Sequence, residues 1–250
     1  MRIVVIGGSG LIGAKLVELL KNAGHDVIAA SPSTGVNTLT GAGVREAFTG
    51  ADVVVDIPNS PSFEDEPVMN FFQTSTRTIA EEAERAGIGH HVVLSIVGAD
   101  RIPDIGYMRA KVAQEEIVKK GATPYTIVRA TQFFEFIAGI AEGTADETTV
   151  RLSPVLMQPI AASDVSAALA EVATKAPTNS TWELAGPEAF PIVELGRRVL
   201  ADAGDNREIV VDPTIGYFGG NVNDQSLTPG NDPALSYRLA ETTLDAWLAR

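Results

Sequence analysis

The 250-residue chain contains no cysteine, and that absence removes disulfides, thiolate metal sites and cysteine nucleophiles together. Histidine is nearly as scarce. Of His25, His90 and His91, the last two are adjacent, so on a strand they point to opposite faces and cannot hold one ion between them. A surface pair at a strand start is the expectation, and no metal site. Basic residues are also few: 19 Lys and Arg stand against 32 Asp and Glu, a net charge of −13, which argues against a nucleic-acid partner. The excess acid reads as a solubilising surface. No apolar run approaches the roughly 20 residues that cross a bilayer. The first strand candidate begins at Arg2, with no room before it for a signal peptide. No membrane partner is expected, and the expected location is cytoplasmic.

With 45% hydrophobic residues the chain can bury a substantial core. Short β-branched runs recur at Ile3–Ile6, Val27–Ala30, Val53–Ile57, His91–Ser95 and Tyr125–Val128. Between them lie helix-compatible stretches at Leu11–Ala23, Val44–Phe48, Val68–Ala86 and Gly106–Lys119. The strands are apolar on both faces, as a parallel sheet covered by helices on each side requires. The expected fold is therefore α/β, a doubly wound parallel sheet of the Rossmann type with a small C-terminal substrate lobe. About residues 1–130 form the dinucleotide-binding core, and about 131–250 mix the lobe with remaining core elements. In that second part a helix at Val165–Ala173, a strand at Thr181–Leu184 and a helix at Ile192–Ala203 are expected. A long ordered loop over Pro213–Pro233 and a final helix from about Ala234 to Leu248 follow.

The stretch RIVVIGGSGLIGAKLVELL carries the strongest local signal. Gly8, Gly10 and Gly13 spell G-x-G-x-x-G, and Gly7, Gly10 and Gly13 spell G-x-x-G-x-x-G, both where a strand becomes a helix. Glycine at the strand end permits dihedrals closed to other residues, in the middle it lets backbone approach a pyrophosphate, and inside the helix it lets helix and strand pack closely. The helix N-terminus then offers N–H groups and positive dipole to an anion. A dinucleotide is the expected ligand. An acid closing the second strand would bind an adenosine ribose 2′-hydroxyl, but Ala29, Ala30 and Ser31 stand there, and Asp26 comes too early. Ser31, Ser33 and Thr34 of SPSTG could instead meet a 2′-phosphate, so NADP is favoured, with NAD as the alternative that a hydroxyl-rich turn tolerates.

In GYMRAKVAQEEIVKK, Tyr107 and Lys111 are spaced i, i+4 and share one helix face. An ammonium near a phenol favours the phenolate and lowers its pKa, so the pair could exchange a proton with a carbonyl oxygen during hydride transfer. Alone the spacing is weak; its weight comes from its place after the fourth strand.

Together, GGSGLIG and Y-M-R-A-K resemble the short-chain dehydrogenase/reductase superfamily. PYTIVRATQFFEF and QPIAASDVSAAL resemble its atypical, NmrA-like NAD(P)-binding oxidoreductase branch. The resemblance covers essentially the whole chain. It implies that Gly7, Ser9, Gly10, Leu11 and Ile12 line the pyrophosphate, with Gly13 behind them, and that Ser31, Ser33 and Thr34 line the adenosine ribose. Asn59 and Ser60 would meet the cofactor's ribose, Lys111 the nicotinamide ribose, and Ser95 would be the third catalytic group beside Tyr107 and Lys111. Ser95 sits a residue or two early for that role; the alternative is a hydroxyl satisfying backbone at a strand end. Relatives of this kind include oxidoreductases acting on small carbonyl, alcohol or quinone-like compounds, and proteins that bind the cofactor and regulate partners without turnover. A small-molecule substrate is the expected partner; spacing specifies neither its identity nor an oligomeric state.

Two aromatic clusters complete the inventory. Phe133, Phe134 and Phe136 follow the fifth strand and could wall a pocket or fill the core. Met69, Phe71 and Phe72 have the spacing of a core-facing helix stripe. Glu64, Asp65 and Glu66 read as a solvated approach to that helix.

Overall fold

The computed structural model describes residues 1–250. Its first half alternates β1 (Arg2–Ile6), α1 (Leu11–Asn22), β2 (Asp26–Ala30), α2 (Val44–Phe48), β3 (Val53–Asp56), α3 (Asp65–Ala86), β4 (His90–Ile96), α4 (Gly106–Lys120) and β5 (Tyr125–Ala130). Its second half contains α5 (Ile137–Glu142), β6 (Thr149–Leu152), β7 (Leu156–Met157), α6 (Ala162–Ala173), β8 (Ser180–Ala185), β9 (Phe190–Pro191), α7 (Ile192–Asp202), β10 (Glu208–Val211), β11 (Tyr237–Leu239) and α8 (Leu244–Leu248).

Seven parallel strands form one sheet in the order β11-β8-β5-β4-β3-β1-β2. The expected doubly wound Rossmann architecture is thus present. Strands from the second half extend the sheet beyond β5. The order reverses between β1 and β3, and the loops leaving their carboxyl ends part there, which is where open α/β sheets bind ligands.

Successive residues explain the two helical layers. Ile3 and Val5 of β1 face α1 and α6 with Val53, Val55 and Val92, against Leu16, Leu20, Val165 and Leu169. Val4 and Ile6 face the opposite layer with Val54, Phe48, Ile79 and Ala83. A strand apolar on both faces can only be buried between layers. Helix α3 starts at Asp65, three residues before the expected Val68; its first-turn acids suit a helix N-terminus, and Asp65 accepts from Arg109 of α4 at 2.5 Å. Phe72 is fully buried, with Met69 and Phe71 packed beside it, as their spacing predicts.

The second core belongs to the lobe, where Phe134, Ile137, Val150, Leu152, Leu195 and Val199 gather under two small sheets. The expected final helix is corrected here. Tyr237–Leu239 is instead the outermost strand, parallel to β8, and only Leu244–Leu248 is helical. The Thr243 hydroxyl accepts from Ala246 N at 3.2 Å and starts α8 afresh, so the helix cannot run through from Ala234. No helix of the chain is long and apolar enough to cross a membrane.

Candidate functional site

The glycine turn lies at the reversal point, and its glycines differ in what demands them. Gly7 has φ +84°, and a Cβ there would stand 2.8 Å from the Ile57 carbonyl oxygen beyond β3. A Cβ on Gly8 would stand 2.8 Å from Ala29 Cα of β2, and one on Gly13 only 2.1 Å from Gly7 O. Those positions are closed by the protein's own backbone. Gly10, the N-cap of α1, is different: a Cβ there would meet only Gly7 O, at an ordinary 3.4 Å. On its outer side no other atom lies within 4 Å, so a methyl group would enter open space before the helix N-terminus. Ser9, Leu11 and Gly10 itself are exposed, whereas Ile12 and Gly13 are buried beneath. That fits a pyrophosphate laid across the helix N-terminus.

The loop after β2 is a single 3₁₀ turn over Pro32–Thr34 capped by Ser31. Ser31 N donates to Thr34 Oγ1 at 2.9 Å, and Thr34 Oγ1 lies 3.0 Å from both Ala29 O and Ser31 O, so the Thr34 hydrogen is spent within the turn. The Ser31 and Ser33 hydroxyls face one another at 2.8 Å. Asp26 sits at the other end of β2, 3.8 Å from the Arg2 guanidinium.

Beyond β3, the Asn59 carboxamide oxygen accepts from the Tyr107 hydroxyl at 2.7 Å and from Ser60 N at 3.0 Å. Ser60 is buried and its hydroxyl accepts from Ser62 N. Tyr107 is the second residue of α4, packed edge-on against Phe72 at 5.5 Å and 5.5 Å from the exposed Phe63. Burial pushes its phenol well above the ordinary tyrosine value, opposite to the lowering that a neighbouring ammonium would give.

Lys111 accounts for the difference. It is 4% exposed, and its ammonium donates to Leu94 O of β4 at 2.8 Å and to Gln114 Oε1, over the Phe72 ring. Burial brings its pKa down to about 8, against the pull of Asp56 and Glu115. Gln114 passes a hydrogen bond to buried Asp56 at 3.1 Å, which lies 3.5 Å from His91 Nε2. Lys111 therefore fastens α4 to β4 one turn below Tyr107.

Ser95 is buried and donates to Glu115 Oε1 at 2.6 Å; it satisfies a carboxylate, not the strand's backbone. Arg129 of β5 holds that carboxylate with two hydrogen bonds of 2.8 Å and reaches Asp100 at 2.8 Å with its remaining arm. Burial would raise Glu115, but the Arg129 hydrogen bonds and charge overcome it and hold the carboxyl below its usual range. Sequence reasoning missed this network. Its signal is Arg129 itself, a charge inside TIVRA, which a strand covered on both faces can hold only with a partner.

The histidine expectation is corrected as well. Both are buried: His90 Nε2 meets Thr126 Oγ1 at 2.9 Å, and burial lowers its pKa to about 4. A fully covered β4 leaves no surface at its start. No cluster of three metal-ligating side chains exists. Of the phenylalanines, Phe134 is core, while Phe133 stacks on the half-exposed Phe136 at 5.5 Å.

The NAD(P)H-binding family model matches residues 7–176, from the glycine turn past the end of α6. The chain belongs to that NAD(P)H-binding family. Membership makes its cofactor a nicotinamide dinucleotide, and the fold that the resemblance to short-chain dehydrogenases and reductases implied is the one found. A short-chain dehydrogenase/reductase superfamily protein from Agrobacterium tumefaciens, solved with NAD, is similar at 18% identity, with a TM-score of 0.71 and coverage of 100% of this chain and 95% of that one. The NADPH-dependent quinone oxidoreductase of Escherichia coli, solved with NADPH, is similar at 18% identity and a TM-score of 0.66, covering 88% and 78%. These likenesses give an oxidoreductase-like fold. Among curated proteins, the photosystem II assembly factor Ycf39 of Cyanophora paradoxa is 24% identical over 165 residues, 60% of this chain and 51% of that one. The chain spans about half the length of the curated relatives it matches.

Proposed function

We propose that the chain is an NADP(H)-dependent reductase of a small carbonyl or quinone-like compound, with the Tyr107 hydroxyl as proton donor. One connection carries this reading. The Ile57 carbonyl closes over Gly7, and two residues further along the same loop Asn59 holds the Tyr107 hydroxyl at 2.7 Å. The dinucleotide turn and the proton donor are thus joined at the carboxyl end of β3. A bound nicotinamide supplies the hydride. Tyr107, kept protonated by burial, gives its proton to the substrate oxygen as that oxygen gains charge. That hydrogen is donated to Asn59 Oδ1, and the hydroxyl rotates from it to the substrate oxygen to give up the proton, while Lys111 positions Tyr107 by pinning α4 to Leu94 O. The quinone oxidoreductase likeness supports a quinone-like acceptor. The missing acid at the end of β2 supports NADP over NAD.

Tyr107→Phe removes only the hydroxyl. With NADPH and a panel of carbonyls and quinones, it lowers kcat by about 100-fold and leaves the cofactor Kd unchanged. An unchanged kcat overturns the mechanism. The second reading, a cofactor-sensing protein that regulates a partner, draws on Ser95, whose hydroxyl is committed to Glu115, and on the assembly-factor relatives. It predicts NADP(H) binding without turnover of any panel member, and recovery of a partner that differs between oxidised and reduced cofactor.

A further inference from the structure

Building on the reductase reading, we propose that the Gln132 carboxamide, with Tyr217 beside it, is a substrate-recognition subsite. It takes a carbonyl flanked by a hydrogen-bond donor, such as an amino- or hydroxy-substituted quinone. Gln132 leaves the carboxyl end of β5, and its position is fixed by backbone bonds on both sides: Thr131 N donates to Leu184 O and Ile160 N to Gln132 O, each at 2.9 Å. The residue is 7% exposed, yet neither its Oε1 nor its Nε2 makes a hydrogen bond. A buried carboxamide holds an acceptor and two donors, and leaving them unpaired costs stability. Within the fold only Tyr217 stands near enough to offset that cost, and its contact is a loose one.

Its neighbours come from the loop that follows β10 and from the start of α4. Tyr217 is buried, which pushes its phenol up, and the Gln132 carboxamide beside it pulls the other way through a side-chain contact too loose in geometry to satisfy either amide atom. It starts a tight turn in which Tyr217 and Gly220 exchange backbone hydrogen bonds of 3.0 Å. At the tip Phe218 adopts φ +46°, a conformation costly for a bulky side chain, and is 63% exposed against the Tyr217 ring at 4.8 Å.

The turn is anchored beside the proton donor. A Cβ on Gly220 would stand 2.6 Å from Ile105 Cγ1, and Asp104 Oδ2 accepts from Asn221 N at 3.2 Å and from Asn221 Nδ2 at 2.9 Å. Ile105 is the N-cap of α4, two residues before Tyr107, whose other neighbour, Phe63, is 68% exposed. Two exposed aromatics thus flank a set of polar groups, Tyr107, Tyr217 and Gln132, which suits a planar ring with its polar edge inward. Because Gln132 presents donor and acceptor together, a plain ketone answers only half of it; a donor next to the carbonyl answers both.

The nicotinamide carboxamide has the same donor and acceptor pair, and the test separates the two sources. The probes are 2-amino-1,4-naphthoquinone and 2-methyl-1,4-naphthoquinone, matched in size and differing in the donor. Each is titrated calorimetrically into NADP-saturated protein, where no hydride can pass. Wild type binds the amino compound about ten-fold more tightly than the methyl compound. Gln132→Met removes most of that preference and leaves NADP affinity unchanged; Tyr217→Phe, which keeps the turn's packing, reduces the same preference. Equal binding of the two probes, binding of neither, or a ten-fold loss of NADP affinity in Gln132→Met overturns the proposal, the last by giving the carboxamide to the cofactor. Repeating the quinone titrations without cofactor keeps the readings apart: failure to bind NADP removes the reductase reading alone, while the probe preference still judges the subsite.

Discussion

Arg129 and Gln132 lie three residues apart where β5 ends, both more than nine-tenths buried, and their surroundings are opposites. Arg129 has all three of its nitrogens in hydrogen bonds to carboxylates, while neither polar atom of Gln132 has a partner. The first explains itself within the fold, because a buried charge must be paired to be tolerated. The second does not. The glycine turn repeats the contrast: Gly7 and Gly13 are demanded by backbone pressed against them, and Gly10 by nothing inside the protein. Residues that the fold leaves unexplained point outward, to what the protein binds.

The largest effect follows from breaking the satisfied member. Arg129→Leu leaves fully buried Glu115 with only the Ser95 hydroxyl and the Lys119 ammonium as partners and lowers stability to urea by about 3–5 kcal/mol. Its pH dependence changes sign. In the wild type the Glu115 pKa is depressed by folding, so its contribution is full above the unfolded value of about 4.3 and is lost as pH falls through the folded pKa. Without Arg129, burial, the largest single influence, outweighs what Ser95 and Lys119 still give and raises that pKa. Stability is then greatest below the unfolded value and falls as pH rises through the folded one. A urea midpoint in Arg129→Leu that stays within about 1 kcal/mol of wild type, or that keeps the wild-type pH trend, contradicts the role assigned to the pair.

How legible each region was depends on whether its cause is local. The β1–α4 alternation could be read because each strand repeats apolar residues and each helix has its stripe, and the glycine turn because its spacing is a local steric requirement. The last strand could not. Tyr237, Arg238 and Leu239 are all exposed at the sheet edge, so the segment lacks the buried run that marks a strand, and the apolar residues around it read as a helix. The site was legible in part. Tyr107 and Lys111 share α4, but their partners, Asn59 for one and Leu94 O and Gln114 for the other, depend on how that helix seats on the sheet. Glu115 reads in sequence as one more acid of a charged helix, and only Arg129 on a neighbouring strand reveals it as buried.

A middle-sized effect tests the turn. Gly10→Ala places its methyl group 3.4 Å from the nearest internal atom, so the fold tolerates it and the helix N-terminus keeps its geometry. The methyl instead occupies the open space before the helix N-terminus. Thermal stability stays within about 1 kcal/mol of wild type, while the cofactor Kd rises by about ten-fold or more. Intact cofactor affinity in a folded Gly10→Ala protein would mean that this space is not where the pyrophosphate lies.

The smallest effect has the opposite sign from most core substitutions. Gln132→Met keeps volume and removes two unpartnered polar atoms, so it stabilises the ligand-free protein by about 1 kcal/mol, read as a higher urea midpoint with unchanged slope. Arg129→Leu destabilises, three residues away and at similar burial, because there the polar partners already exist. If Gln132→Met also destabilises, the carboxamide is satisfied within the fold and the contrast with Arg129 collapses. If it stabilises while erasing the quinone preference, Gln132 is held unpaired at a cost in stability because ligand recognition requires it, as a site tuned for binding rather than for folding does.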